Sequence, residues 1–131
     1  MSGIFLKIVN GEIPSYKIAE DERYYAFLDI NPLATGHTLV IPKLEIDYLF
    51  DLDDDLLAGM MVFSKKIGMA IEKHVSCKRI GMAVLGLEVP HAHIHLIPIN
   101  SESDISFSKP KLKFSKEQFE ELAEKIRKEL E

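Results

Sequence analysis

The run His91-Ala92-His93-Ile94-His95-Leu96-Ile97-Pro98 sets three imidazoles on alternate positions of a segment otherwise built from apolar and β-forming residues. Such a run predicts a β-strand, whose side chains alternate between two faces. The three rings then share one face at neighbour spacings of roughly 7 Å, the span of two strand residues, while Ala92, Ile94 and Leu96 turn to the core. A row of titratable rings packs a protein interior poorly. It is well suited to holding a phosphate or a metal ion.

The rest of the chain supplies four more strands and three helices. Ile4 to Val9 carries apolar residues at 4, 5, 8 and 9 and predicts a short amphipathic helix stopped by Asn10-Gly11. Lys17 to Glu20 and Tyr24 to Ile30 read as strands around the polar turn Asp21-Glu22-Arg23, and Asn31-Pro32 breaks the second. Gly36 to Pro42 is a third strand. Asp53-Asp54-Asp55 opens the longest helix, expected to run to about His74, with acidic residues at its positive end. His74 itself is expected to make a contact with that helix's C-terminal dipole. Arg79 to Leu85 and Val89 to Ile99 are expected as strands joined by a short Gly86-Leu87-Glu88 turn, followed by a polar loop from Ser101 to Pro110. Ser115 and Gln118 form a capping box for a last helix reaching about Leu130. The pattern is α+β with a mostly antiparallel five-stranded sheet.

At 131 residues the chain is expected to form a single domain over 1–131. A formal charge of −5 argues against binding a nucleic-acid backbone, which calls for a basic patch. Cys77 is the one cysteine, so neither an intrachain disulfide nor a cysteine-rich zinc site can form. The amino-terminal segment lacks the apolar core of a signal peptide, and no run approaches ~20 apolar residues, the length of a membrane span. A cytoplasmic protein without a membrane partner is expected.

Three readings of the histidine row compete. Alternating histidines can ligate zinc or another transition metal, with His37, Asp29 or Glu88 completing the set. Alternatively, a neutral His93 attacks the α-phosphorus of a nucleotide and forms a nucleotidyl-imidazole that water hydrolyses, with backbone N–H groups near Gly86 to Val89 stabilising the phosphate. Three close imidazoles do not all hold protons together, which favours a neutral nucleophile. The third reading, buried structural histidines, fits a single histidine better than three on one face with His37 on another strand.

The segment His91-Ala92-His93-Ile94-His95-Leu96-Ile97 resembles the signature of the histidine-triad (HIT) family of nucleotide-binding hydrolases and transferases. Ile8-Val9-Asn10-Gly11-Glu12-Ile13-Pro14-Ser15, Phe27-Leu28-Asp29-Ile30-Asn31-Pro32 and Gly36-His37-Thr38-Leu39-Val40-Ile41-Pro42-Lys43 resemble other segments of that family in the same order, covering about residues 3–100. The resemblance is to the bacterial branch that includes nucleoside phosphoramidases. It implies a HIT-like fold with the C-terminal loop and helix, 101–131, appended to the core. It also implies His93 as nucleophile, His91 and His95 contacting phosphate or orienting the ring and leaving group, and His37 as a supporting fourth histidine. Asp29 would accept hydrogen bonds from ribose hydroxyls, or merely cap the turn before Pro32. Ile30, Phe5, Ile8 and Leu39 would wall the base, with Glu88 and Val89 beside the phosphate. The implied substrate is a purine nucleotide resembling AMP, cleaved at the α-phosphorus of a phosphoramidate. The alternatives are a dinucleoside polyphosphate hydrolase and a non-catalytic nucleotide-binding module. No cofactor is required.

The resemblance further implies a homodimer whose sheet continues across the two-fold axis. The long helix would lie at that interface, with Met60, Met61 and Phe63 forming a second buried face there, although ordinary core packing accounts for some of these three equally well. Many relatives hold a structural zinc through two amino-terminal cysteines, a histidine and the first triad histidine. The corresponding positions here are Gly3, Leu6, Glu45 and His91, so no structural zinc is expected. Relatives often carry serine or threonine at the position of Glu88. A carboxylate there repels a phosphate dianion, so Glu88 is expected to turn outward or to favour a cationic leaving group. The C-terminal helix, with Phe114, Phe119, Leu122 and Ile126, is expected to pack on the body of the protein.

Overall fold

The computed structural model describes residues 3–131; Met1 and Ser2, where the segment read for a leader begins, lie outside them. Five strands, β1 (Lys17–Glu20), β2 (Tyr24–Leu28), β3 (Thr38–Pro42), β4 (Arg79–Ala83) and β5 (Ile94–Ile99), form one sheet in the order β1-β2-β3-β5-β4. Every neighbouring pair is antiparallel. Asp21 makes the first hairpin: its Oδ1 accepts from the N–H groups of Arg23 and Tyr24, each at 2.8 Å. Pro98 sits in an interior strand, but β3 pairs β5 only from Ile94 to Leu96, so the missing N–H of Pro98 falls beyond that ladder.

Helices cover both sheet faces, which is why β2 and β3 are buried throughout instead of alternating. On one face, α2 (Asp54–Glu72) and α3 (Lys116–Glu129) bury Ile67, Ile71, Phe119 and Ile126 against Ile18, Val40, Ile94 and Leu96. On the other, α1 (Ile4–Val9) lays Phe5 and Ile8 on Tyr25, Phe27, Leu39 and Ile41. Asp53 caps α2 by accepting from Leu56 N–H at 2.8 Å. Ser115 and Gln118 form the reciprocal capping box of α3. The C-terminal helix thus docks on the body as its apolar spacing predicts. Arg127 reaches from it to donate to Lys17 O on the outer strand. His74 lies just past α2 and pairs at 3.0 Å with Glu129 of α3.

Three expectations need correction. First, β4 ends at Ala83 and β5 begins at Ile94, so residues 84–93 form a loop in place of the short turn, and only His95 of the triad lies in a strand. The backbone leaves the ladder because His91 N–H donates to Val89 O and Ala92 N–H to Ile46 O, partners outside the strand pairing. Second, β2 stops at Leu28 because Asp29 turns the chain, its Oδ1 accepting from Asn31 N–H at 2.8 Å. Third, Met60 is wholly buried and Phe63 packs half-buried on Tyr24, so core packing accounts for these two, and of the three residues considered for an interface on α2 only Met61, 48% exposed, remains free for one. Among the described residues no helix is long and apolar enough to cross a membrane.

Candidate active site

An open cleft of about 490 Å³ lies on the α1 side of the sheet. The base-binding residues named from the sequence converge there: Phe5 and Ile8 from α1, Leu39 from β3, and Ile30 from the turn after β2. Ile30 is 65% exposed and stands at the rim. Asp29, His37, His93 and His95 also line the cleft, as do Glu88 and Val89 from the loop before the triad. Glu88 is exposed there, on the mouth of the cleft. His91 does not line it. Its ring lies buried beside Phe5, centroids 5.8 Å apart, with Nε2 donating to Pro42 O at 2.7 Å.

Hydrogen bonds determine which nitrogen of each neutral ring carries the proton. His93 Nδ1 lies 2.7 Å from His91 O, and a carbonyl can only accept, so Nδ1 is the donor and Nε2 keeps a bare lone pair. On the other side, Leu33 N–H donates to His37 Nδ1 at 3.0 Å, which leaves the proton of His37 on Nε2. That nitrogen donates to His95 Nδ1 at 2.9 Å, so His95 carries its own proton on Nε2. A relay from Leu33 through His37 therefore fixes the proton of His95 on Nε2, and the rings of His95 and His93 lie 5.0 Å apart between centroids. Asp29 Oδ2 stands 3.5 Å from His37 Nε2 while Oδ1 holds the turn, so this carboxylate caps and also lines the cleft.

Burial disfavours the charged form of His37, His95 and His91. Desolvation, helped by repulsion from His95 when that ring is protonated and from Lys111, pushes His37 down to about 3. Desolvation and His93 push His95 down to about 4. Burial likewise lowers His91. Asp29 is raised by burial, against the opposing pull of Asn31 N–H, His93 and Lys111. In the loop from Gly86 to Val89, turned by Gly86 at φ +73° and lining the cleft, no N–H group donates a hydrogen bond among the described residues.

Two metal arrangements can be tested against these residues. For the zinc held by relatives, Gly3 and Leu6 bring no ligating side chain, and Glu45 Oε2 accepts from Gly3 N–H at 2.6 Å. Only Glu45 and the unpartnered Nδ1 of buried His91 remain as donors, too few for a four-coordinate structural zinc. The second arrangement is Asp29, His37 and His95, whose ligand atoms lie within 4.8 Å of one another. In it the two imidazoles already share one proton at 2.9 Å, and a cation would have to displace that hydrogen bond.

Among the cleft residues that the sequence reading did not name are two from a part of the chain it had left out of the site. Phe107 and Lys111 come from the segment before α3. The edge of Phe107 meets His95 at 4.7 Å between centroids, and it also touches His37. The available signal was a lone aromatic in an otherwise polar loop. A second hollow, of about 210 Å³, lies behind Asp29 and His37 against α3.

The family described as HIT domain matches residues 10–102. An uncharacterized HIT-like protein of Borreliella burgdorferi is 40% identical over 131 residues, covering 94% of each chain. An adenosine 5'-monophosphoramidase of Schizosaccharomyces pombe is 37% identical over 128 residues, covering 96% of each. Among solved structures, a Hit-like protein from Bartonella henselae superposes with a TM-score of 0.84 at 34% identity, covering 97% of this chain and 95% of that one. Likeness of this extent in sequence and fold, over a cleft built on the triad, makes the chain a member of the histidine-triad (HIT) family.

Proposed function

We propose that the cleft binds a purine nucleoside monophosphate moiety and hydrolyses the P–N bond of an adenosine phosphoramidate at the α-phosphorus. The bare Nε2 of His93 carries this reading, because it is a nucleophile held in one tautomer by His91 O at 2.7 Å and open to the cleft. His93 Nε2 forms a bond to phosphorus as the amine departs with the P–N electron pair and a proton from solvent. Water then attacks phosphorus, releases the nucleoside monophosphate and restores the ring. His95 Nε2–H and the N–H groups of residues 86–89 donate to the phosphoryl oxygens as charge builds. Here His91 acts through its carbonyl, and His37 acts through His95. Asp29 accepts from the ribose, and Phe5, Ile8, Ile30 and Leu39 hold the base. The identity of relatives such as the Schizosaccharomyces pombe monophosphoramidase supports this substrate class.

The protein works as a homodimer. β4 is an open sheet edge, and Met82 on it, with Met61, Val62 and Met69 on α2, leaves apolar surface exposed. Sheet continuation through β4 pairs that edge and covers those residues.

His93→Ala abolishes turnover of adenosine 5'-phosphoramidate while AMP affinity and the thermal midpoint stay near wild type. Mass spectrometry of quenched wild type detects the nucleotidylated histidine, and the variant forms none. Retained turnover in His93→Ala refutes the mechanism. Loss of wild-type activity on chelation assigns Asp29, His37 and His95 to a metal instead.

A further inference from the structure

A nucleotide phosphate brings negative charge into a cleft that holds Asp29 and Glu88 on a chain of net charge −5. His37 and His95 offer no compensating charge near neutrality, because burial keeps both rings uncharged. Among the described residues lining the cleft, Lys111 is the one lysine or arginine. We infer that Lys111 is a phosphate-binding residue of this site, held in place by a strap formed from residues 105–112. This inference rests on the nucleotide reading given above and adds a residue to it.

The strap is tied at both ends. Ile105 packs so closely over Gly81 of β4 that a Cβ there would stand 2.6 Å from Ile105 Cδ1. Leu112 N–H donates to Pro32 O at 2.9 Å, which joins the strap to the turn that carries Asp29. Between these ties, Phe107 sets its edge on the ring of His95. Lys111 Nζ then curls back and donates to Phe107 O at 2.6 Å and Lys109 O at 3.1 Å.

An ammonium group has three N–H donors. Two are spent on the strap's own carbonyls, which fix the nitrogen in position, and the third is left for a ligand. Lys111 lines the same cleft as Asp29, His37, His93 and His95. A preorganised cation there attracts an anionic substrate without immobilising a free lysine side chain on binding. The strap belongs to no strand or helix, and its contacts to His95 and Pro32 join segments distant in sequence.

Lys111 is exposed, so its truncation leaves the fold intact. Calorimetric titration with AMP and with adenosine separates a phosphate contact from a general effect on the cleft. Lys111→Ala weakens AMP binding roughly ten- to hundredfold, the effect of one charge-assisted hydrogen bond. Adenosine affinity does not change, and the decline of AMP affinity with added salt becomes shallower. Lys111→Arg restores most of the AMP affinity. Equal AMP affinity in wild type and Lys111→Ala, or equal weakening for AMP and adenosine, overturns the assignment while the nucleotide reading stands. A wild type that binds neither molecule overturns both.

Discussion

Acid should unfold this protein through two histidines that never touch solvent freely. His37 and His95 take up protons near pH 6.5 in an unfolded chain but only near 3 and 4 in the folded one, because burial disfavours the charged rings. Below pH 6.5 the unfolded chain binds more protons than the native one, so stability falls as pH falls. The loss accumulates from 6.5 down to about 4 and ends below about 3, where the folded pair also becomes charged. Each pH unit in that window costs about 1.4 kcal/mol per ring. At about pH 4.5 the two rings together remove about 5 kcal/mol, against a total stability of about 5–15 kcal/mol for a domain. Asp29 works the other way, since its raised pKa lets the folded state bind a proton before the unfolded state does. Urea unfolding of wild type and of the double variant His37→Gln, His95→Gln isolates the rings, as Asp29 is common to both. Wild type loses about 5 kcal/mol more than the variant between about pH 7 and about pH 4.5. A parallel NMR titration on wild type shows neither ring titrating above about pH 5. Equal losses in the two proteins, or a ring that titrates near pH 6.5, refute the claim that burial keeps these histidines neutral.

Two further substitutions probe the frame around the site. Gly36 has φ +90°, and a Cβ there would meet Val75 Cγ2 at 3.0 Å, so Gly36→Ala combines backbone strain with overpacking next to His37. It destabilises by about 2–4 kcal/mol in denaturant melts and lowers turnover with it. Ile126→Ala removes a wholly buried side chain where α3 meets the sheet core, costing about 2–5 kcal/mol by the same assay, with AMP affinity unchanged at temperatures where the variant stays folded.

Much of the cleft was legible because its residues lie in short segments with strong local signals. The Asn31-Pro32 break ended the second strand within two residues of its observed end at Leu28, and the apolar spacing of Ile4 to Val9 placed Phe5 and Ile8 on one helical face. The charge pattern and capping residues located α2 and α3 with ends correct to within two residues. The error over His91 and His93 came from treating a hydrogen-bonding pattern as a property of composition. The alternating imidazoles read as extending the strand through 89–93, but Pro90 has no N–H for a ladder, and Val89 O and Ile46 O draw the N–H groups of His91 and Ala92 away from it. The same limit applied to Met60 and Phe63, whose burial depends on Tyr24 and the sheet that α2 meets, not on the width of its apolar stripe.

By itself the sequence determined the order of elements, the helix caps and the alternate spacing of three imidazoles, because propensity, capping and periodicity act over a few neighbouring residues. Only the tertiary structure decided which ring faces the cleft and which nitrogen of each carries the proton. For His91 and His95 those choices depend on Pro42 O and on His37, brought in from distant parts of the chain. Near neighbours, Leu33 N–H and His91 O, set His37 and His93 once the fold has bent the backbone between them. It also decided that Phe107 and Lys111 join the site, since a polar loop has no periodic pattern and takes its place from what it packs against.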